Sequence, residues 1–372
     1  MLPAIIIFLL VLSIVVLIHE IGHFLSAKII GIKVNEFGFG YPPRIIGFYQ
    51  NLKGKFKSVF WVKDVDKEAK STIYSLNLLP FGGFVRLFGE QEEGSEKTTS
   101  KTAFYNRSKL ERTIVMLAGI FMNLVLGVVC FSIIYSSVGI PETVDYITVQ
   151  GISPNSPAQQ AGIKLEDKIL SIDEKQMTKT EDFVNYLKDK GGKEIIIAIE
   201  RNGQKQVITL VPRENPPAGE GAVGVMVTNV DNVFYPAWQM PFRAAWVGIQ
   251  ETYTWTLLMI EGLGQMVTSI LSGVAPQVAG PVGIYQMTSD AASAGILVLI
   301  KFIGILSINL AVVNALPFPA LDGGRFLLLL IEKAKGSKIN TKIEMYLNMI
   351  GMLFLIGLMI LVTVLDVMRL VK

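Results

Sequence analysis

Charged residues are scarce in this chain: they fill 17% of its 372 positions, against 51% that are hydrophobic. An average soluble domain carries about 25% charged residues, so the deficit argues against a wholly soluble protein. The 34 basic and 31 acidic residues leave a formal charge of +3, too small and too scattered to indicate nucleic acid. A single cysteine, Cys130, excludes an internal disulfide framework and any zinc or iron–sulfur site built from cysteines. Histidine is nearly absent as well, with only His19 and His23.

The chain does contain long uncharged runs. Met1 to Ile18 has no charge, and its apolar character continues past the two histidines to Ala27. At about 1.5 Å per residue, some 20 residues cross a hydrocarbon layer of roughly 30 Å. A cleaved signal peptide fits this run poorly, because no basic residue precedes it and no small-residue cleavage site ends it. Similar runs predict four membrane spans, near 3–27, 113–138, 296–316 and 345–365. Arg243–Leu271 is apolar but interrupted by Arg243, Glu251 and Glu261, which suits an amphipathic helix on the membrane surface. Lys and Arg number fourteen in 31–112, five in 325–342 and eleven in the much longer 139–296. The two denser loops are therefore expected in the cytoplasm, with both termini and 139–296 outside it.

Between the second and third spans the composition becomes that of a globular domain. Ile195–Ile199 and Val207–Val211 read as strands joined by an Arg201-Asn202-Gly203-Gln204 hairpin. Ser156-Pro157 through Gly162 offers a cap, a first-turn proline and a terminating glycine, and Lys179 to Lys190 reads as a second, amphipathic helix. Together with Ser153-Pro154-Asn155 and Asp167-Lys168-Ile169-Leu170-Ser171-Ile172-Asp173, this order resembles a circularly permuted bacterial PDZ domain. PDZ domains capture an extended peptide at a sheet edge. Peptide capture and simple exclusion of bulky proteins both fit the sequence.

The chemistry lies within the first span. His19-Glu20-Ile21-Gly22-His23 matches H-E-x-x-H, whose histidines at i and i+4 share a helix face and can reach one zinc ion, with Glu20 beside them as acid/base. Many soluble helices contain this pattern by chance. Inside a span, however, a charged residue costs about 2.5–3.5 kcal/mol on insertion scales, so an ordinary anchor would not carry this cluster. Catalytic zinc takes three protein ligands and an open position. With no third histidine, the remaining ligand is expected to be a carboxylate. After the third span, Pro317 and Pro319 break the helix, and Asp322 follows, ahead of Gly323 and Gly324. Asp322 could instead cap a helix starting near Gly324. Asp366 reads as an interfacial residue at the end of the last span.

H-E-x-x-H in a first span, a PDZ-like segment outside and N-x-x-P-x-P-x-x-D-G (Asn314 to Gly323) in a later span resemble the bacterial site-2 protease family from end to end. The resemblance implies a zinc-dependent intramembrane endopeptidase in a bacterial cell membrane, with one Zn²⁺ held by His19, His23 and Asp322 and with Glu20 catalytic. It implies single-span membrane substrates such as anti-sigma factors or signal-peptide remnants. The implied fold is mainly α-helical, with four transmembrane helices, a membrane-associated β-sheet on the cytoplasmic side and one extracytoplasmic PDZ domain. The expected divisions are 1–138 with the HExxH motif, 143–213 as the PDZ domain, 214–290 as linker and interfacial helix, and 291–372 with the Asp322 motif. One PDZ domain departs from relatives with two in tandem, so a double-PDZ filter is not carried over.

A helix satisfies its own backbone hydrogen bonds, so cleaving one requires unwinding it onto an extended surface. Val34 to Gly40 and Thr72 to Leu87 read as glycine- and aromatic-rich strands. In the family such segments form a membrane-dipping sheet that receives substrate; a cytoplasmic β-subdomain without substrate contact is the alternative. Gly38 and Gly40, with Asn309, Asn314, Pro317 and Pro319 of the third-span motif, form the expected substrate-binding set. The asparagines could grip unwound backbone, polarise the scissile carbonyl or serve as interhelical glue; the substrate role is preferred for Asn314, and Asn309 is left open between them. Gly280-Pro281-Val282-Gly283-Ile284 is similar to a family feature but has no role readable from sequence. An inactive scaffold that holds partners is the competing function. A transporter is disfavoured because no repeat relates the two halves.

Overall fold

The computed structural model describes residues 2–61, 70–90, 99–273 and 279–371. It contains two compact units, one of residues 1–134 with 244–372 and one of 135–243.

The first unit is built on long helices. Among the described residues, α1 (Leu2–Ile30), α2 (Lys109–Val138), α7 (Ile296–Asn314) and α9 (Thr341–Val371) contain the four segments long and apolar enough to cross a membrane, namely Ala4–Ile30, Lys109–Val138, Ile296–Asn314 and Lys342–Arg369. These coincide with the four expected spans. α5 (Met240–Leu271) is one unbroken helix; α6 (Pro281–Ala294) and α8 (Asp322–Lys335) flank α7.

Between α1 and α2 the chain forms a sheet of β1 (Val34–Gln50), β2 (Phe56–Phe60) and β3 (Ile73–Leu87) in the order β2-β1-β3. Both long strands bend back on themselves. Phe37 stands opposite Val85 and Tyr74, and Gly38 opposite Phe84 and Ser75, so the first half of β1 is flanked by β3 on both sides. The sheet is anchored by Phe24 of α1, whose ring lies 4.9 Å from Phe37 and 6.1 Å from Tyr74. Ala27, Val34, Leu87, Val115 and Leu329 form one buried cluster that joins sheet, α1, α2 and α8. A buried Arg112–Glu332 pair at 2.7 Å, with side chains 4% and 2% exposed, ties the start of α2 to α8.

Asp366, expected at the end of the last span, is enclosed by protein. It is 7% exposed, and its Oδ2 accepts from the backbone N–H of Gly280 at 2.8 Å and of Gly283 at 3.0 Å. That explains the Gly280-Pro281-Val282-Gly283 run: α9 supplies the acidic cap for α6, and a Cβ on Gly280 would stand 2.8 Å from the carboxylate. The cap joins residues far apart in sequence, which is why neither half reveals it alone.

The second unit holds β4 (Ile140–Ile152), α3 (Pro157–Gln160), β5 (Lys168–Ile172), β6 (Lys175–Gln176), α4 (Thr180–Lys188), β7 (Ile195–Arg201), β8 (Gln204–Leu210) and β9 (Val225–Val233). Its sheet runs β8-β7-β5-β4-β9, with β6 on β5, around a core that includes Ile147, Ile169, Phe183 and Ile197. Ser156 caps α3 through Gln159 N–H, and Asn202 and Gly203 take positive φ in the β7–β8 turn, as their residue types require. β9 lies in the stretch expected to be linker. Its Asn229, Asp231 and Asn232 look like turn residues, but it is an edge strand, paired to β4 on one side.

Two outcomes test these contacts. Asp366→Ala should lower the stability of the full chain by about 1 kcal/mol, read as a fall in thermal midpoint, while Asp366→Asn, still an acceptor, stays near wild type. In the second unit, Asp167 (1% exposed) accepts from Arg201 Nε and Nη2 at 2.7 and 2.6 Å and from Lys164 N–H at 2.8 Å. Burial pushes the Asp167 carboxyl up, but Arg201 and the Lys164 amide outweigh it and hold it below the ordinary carboxylate value. The folded pKa is thus below the unfolded one, so the stabilisation is full above the unfolded value and lost as pH falls through the folded value. Arg201→Met should cost about 3 kcal/mol near neutral pH, and hydrogen exchange in β5 and β7 should show that gap closing as pH falls below the ordinary carboxylate value.

Candidate metal centre

α1 places His19 and His23 one turn apart, with ring centroids 4.8 Å apart, planes at 84° and Nε2 atoms 3.2 Å from each other. Asp322 reaches them from the first turn of α8. The chain leaves α7 at Asn314, turns through Ala320 at φ +76° and starts α8 at Asp322 itself, with Leu321 as the cap residue. Side chains at Gly323 or Gly324 would run into the carbonyls of Ala315, Leu316 and Phe318, so only glycine permits this tight return. α9 braces the turn: Asn348 Oδ1 accepts from Ala320 N–H at 3.1 Å, and Gly351 leaves room for the Pro319 carbonyl.

Asp322 Oδ2 ends 3.0 Å from His19 Nε2 and 3.2 Å from His23 Nε2. Among the described residues this is the one trio of His, Cys, Asp or Glu gathered closely enough to hold a metal ion. The fit to zinc can be judged from the donor atoms. Ligands about 2.0–2.1 Å from a tetrahedral ion stand roughly 3.3 Å apart, close to the three separations here. Asp322 Oδ2 is also buried without a properly directed hydrogen bond, the condition of an atom whose natural partner is a cation. The residues fit.

The trio opens into a cavity of about 410 Å³ lined also by Glu20, Phe84, Asn314 and Arg325. β3 forms part of its wall. Gly83 sits over Glu20, since a Cβ there would lie 3.7 Å from Glu20 Cγ and 3.0 Å from the Gly38 carbonyl. Residues 83–87 pair with β1 on one side and have no strand partner on the other among the described residues.

The expected substrate residues separate. Asn314 lines the cavity, with Nδ2 3.5 Å from His19 Nε2. Asn309 is exposed, Pro317 is exposed and Pro319 packs on α9; none of the three lines the cavity. Gly38 and Gly40 lie within the sheet, where side chains would strike Phe84, the Asn77 amide or the Leu79 carbonyl. Asn77 Nδ2 donates to the Gly40 carbonyl at 3.0 Å, stitching that bend together.

Sequence reasoning missed the wall that α2 provides. Gly22 and Gly119 bring α1 and α2 into backbone contact, and a Cβ on Gly119 would lie 2.6 Å from His23 Nε2 and 2.8 Å from His19 Nε2. His23 Nδ1 is 2.8 Å from the Val115 carbonyl, and Asn123, fully buried, touches His19 Nδ1. An asparagine one turn beyond a glycine in an apolar span was the available signal. Arg325 Nη1 donates to Glu90 Oε1 at 2.6 Å at the cavity edge, a pairing with no trace in the sequence.

Comparison with known proteins identifies the family. The family model described as Peptidase family M50 matches residues 7–358. A Clostridium acetobutylicum protein named as a candidate zinc metalloprotease is 35% identical over 363 residues, covering 98% of this chain and 97% of its own. The zinc metalloprotease RasP of Geobacillus kaustophilus is 29% identical over 443 residues, covering 99% of this chain and 98% of its own. Among solved structures, the PDZ domain of an SdrC-like protein of Listeria monocytogenes aligns with a TM-score of 0.21 and 18% identity, covering 24% of this chain and 94% of that domain. The chain belongs to peptidase family M50, the site-2 proteases, and is a hydrolase of the metalloprotease class.

Proposed function

We propose that this metalloprotease is an intramembrane endopeptidase that cuts peptide bonds within the transmembrane segments of single-span membrane proteins, anti-sigma factors or signal-peptide remnants among them. The observation that carries the reading is the meeting of His19, His23 and Asp322, from motifs at opposite ends of the chain, beside Glu20 in one cavity. The competing inactive scaffold would have no need of this complete set.

His19, His23 and Asp322 hold the zinc, which when bound supplies Lewis-acid polarisation and activation of water at neutral pH. Glu20 takes the proton from the attacking water and delivers it to the leaving amide nitrogen. Asn314, next to the ligand cluster, donates an N–H to the carbonyl oxygen as charge develops there. The edge of β3 around Gly83 and Phe84, which pairs with no second strand among the described residues, receives the unwound substrate as an added strand, and Gly83 keeps that strand close to Glu20. The distribution of Lys and Arg supports an active site near the cytoplasmic side, with the 135–243 unit and both termini outside. That unit offers a groove of about 350 Å³ between α4 and β9, lined by Phe183, Leu187, Val225 and Val227, which favours peptide capture over exclusion alone.

Cleavage of a single-span reporter by the full chain in lipid should fall by about 10²–10⁴-fold in Glu20→Gln with zinc retained. Asp322→Asn should lose the zinc itself. Undiminished cleavage by Glu20→Gln would sink the mechanism. Gly119→Ala, whose methyl displaces both imidazoles, should bind zinc poorly, whereas Gly357→Ala, with open space around it, should bind and cut as wild type does. Metal content after purification separates these outcomes from a simple loss of folding.

A further inference from the structure

A histidine that binds zinc through Nε2 in its neutral form carries its proton on Nδ1, and that N–H needs an acceptor. For His23 the acceptor is the Val115 carbonyl at 2.8 Å, an atom that can do nothing else. For His19 the polar atom near Nδ1 is the Asn123 Nδ2, at 3.3 Å. Two donors would face each other there if His19 turns Nε2 to the metal. Meanwhile Asn123 Oδ1 is buried with no partner at all. Nitrogen and oxygen of an amide are nearly equivalent in shape, and turning the group by 180° puts Oδ1 where it can accept from Nδ1–H.

The rest of Asn123 is fixed. Its backbone carbonyl accepts from Ser307 Oγ of α7 at 2.9 Å, and both residues are fully buried. Val115, Gly119 and Asn123 recur at i, i+4 and i+8, one stripe of α2 laid antiparallel along His23 and His19 of α1. Each member does one thing: the Val115 carbonyl accepts from His23 Nδ1–H, Gly119 makes room for the two rings, and Asn123 faces the outer nitrogen of His19.

We infer that Asn123 is a positioning residue of the metal centre, its amide oxygen holding His19 as the Nδ1–H tautomer with Nε2 turned to the ion. The inference rests on the zinc reading above. It also explains why an asparagine is kept in an otherwise apolar stripe, where an unpaired amide is costly.

The test uses the full chain in lipid nanodiscs, with zinc affinity measured by chelator competition. Asn123→Leu, similar in size but without an acceptor, should weaken zinc binding by about 10–100-fold. Asn123→Asp, which keeps the acceptor, should bind zinc at least as tightly as wild type; a purely packing role predicts the opposite order. Because the chain has two histidines, ¹⁵N-histidine labelling of the zinc-loaded wild type gives two ring spectra, and His19 should be protonated at Nδ1. This reading needs no variant to fold. Unchanged zinc affinity in Asn123→Leu, or His19 protonated at Nε2, would overturn the inference while leaving zinc binding intact. A wild-type chain that takes up no zinc would instead overturn the metal reading, and this inference with it.

Discussion

The close approach of α1 and α2 governs the site. Gly22 faces the Ala118 carbonyl and Gly119 faces both imidazoles, so neither position has room for even a methyl group. Backbones that meet this closely gain dispersion contacts that do not depend on hydrophobic drive, the usual basis of helix association in lipid. Here the same contact has a chemical result. With no side chains between the helices, a backbone carbonyl of α2 reaches one histidine and an amide reaches the other. These contacts to the imidazoles come from α2 alone and do not involve the ligand from α8.

Asp322 comes from the other end of the chain, and its position depends on several supports at once. The glycines after it allow the tight return, Asn348 and Gly351 of α9 hold the turn, and the buried Arg112–Glu332 pair joins α8 to the base of α2. A buried ion pair is weak evidence of stability, because desolvation offsets much of its attraction. Its value here is in register: with Glu332 also accepting from Ile339 N–H at 3.0 Å, it fixes the far end of the helix whose first turn holds the metal ligand.

What the sequence revealed about the site follows residue scarcity. Two histidines and a glutamate inside an apolar run could not be ordinary, and Asp322 emerged because few other carboxylates lie at membrane depth. The four spans were legible for the same reason, since twenty uncharged residues have few other uses. From sequence the substrate role is preferred for Asn314 and left open for Asn309, and only Asn314 reaches the cavity, because five positions on a helix turn a side chain well away from its starting face. The Val115 carbonyl carries no side-chain signature at all. Asp366 reads only as an interfacial residue and the Gly280–Gly283 run has no readable role until the fold joins them, and β9 is hidden because an edge strand can be polar.

The sheet and the metal centre make sense together only when the substrate's backbone is considered. A helix in lipid keeps every N–H and C=O satisfied, and each one released without a partner costs several kcal/mol. Unwinding a few residues therefore costs more than a single catalytic contact returns. A strand edge changes this balance by offering donors and acceptors in alternation to the same residues that lose their helical partners. In this chain the edge of β3 with no second strand among the described residues lies where Gly83 sits over Glu20, so the place that can compensate the unwinding is also beside the group proposed to move the proton. Any side chain at Gly83 would come between the two, close to the glutamate and to the Gly38 carbonyl behind it. On the proposed function, the absence of that side chain couples substrate unwinding to bond cleavage.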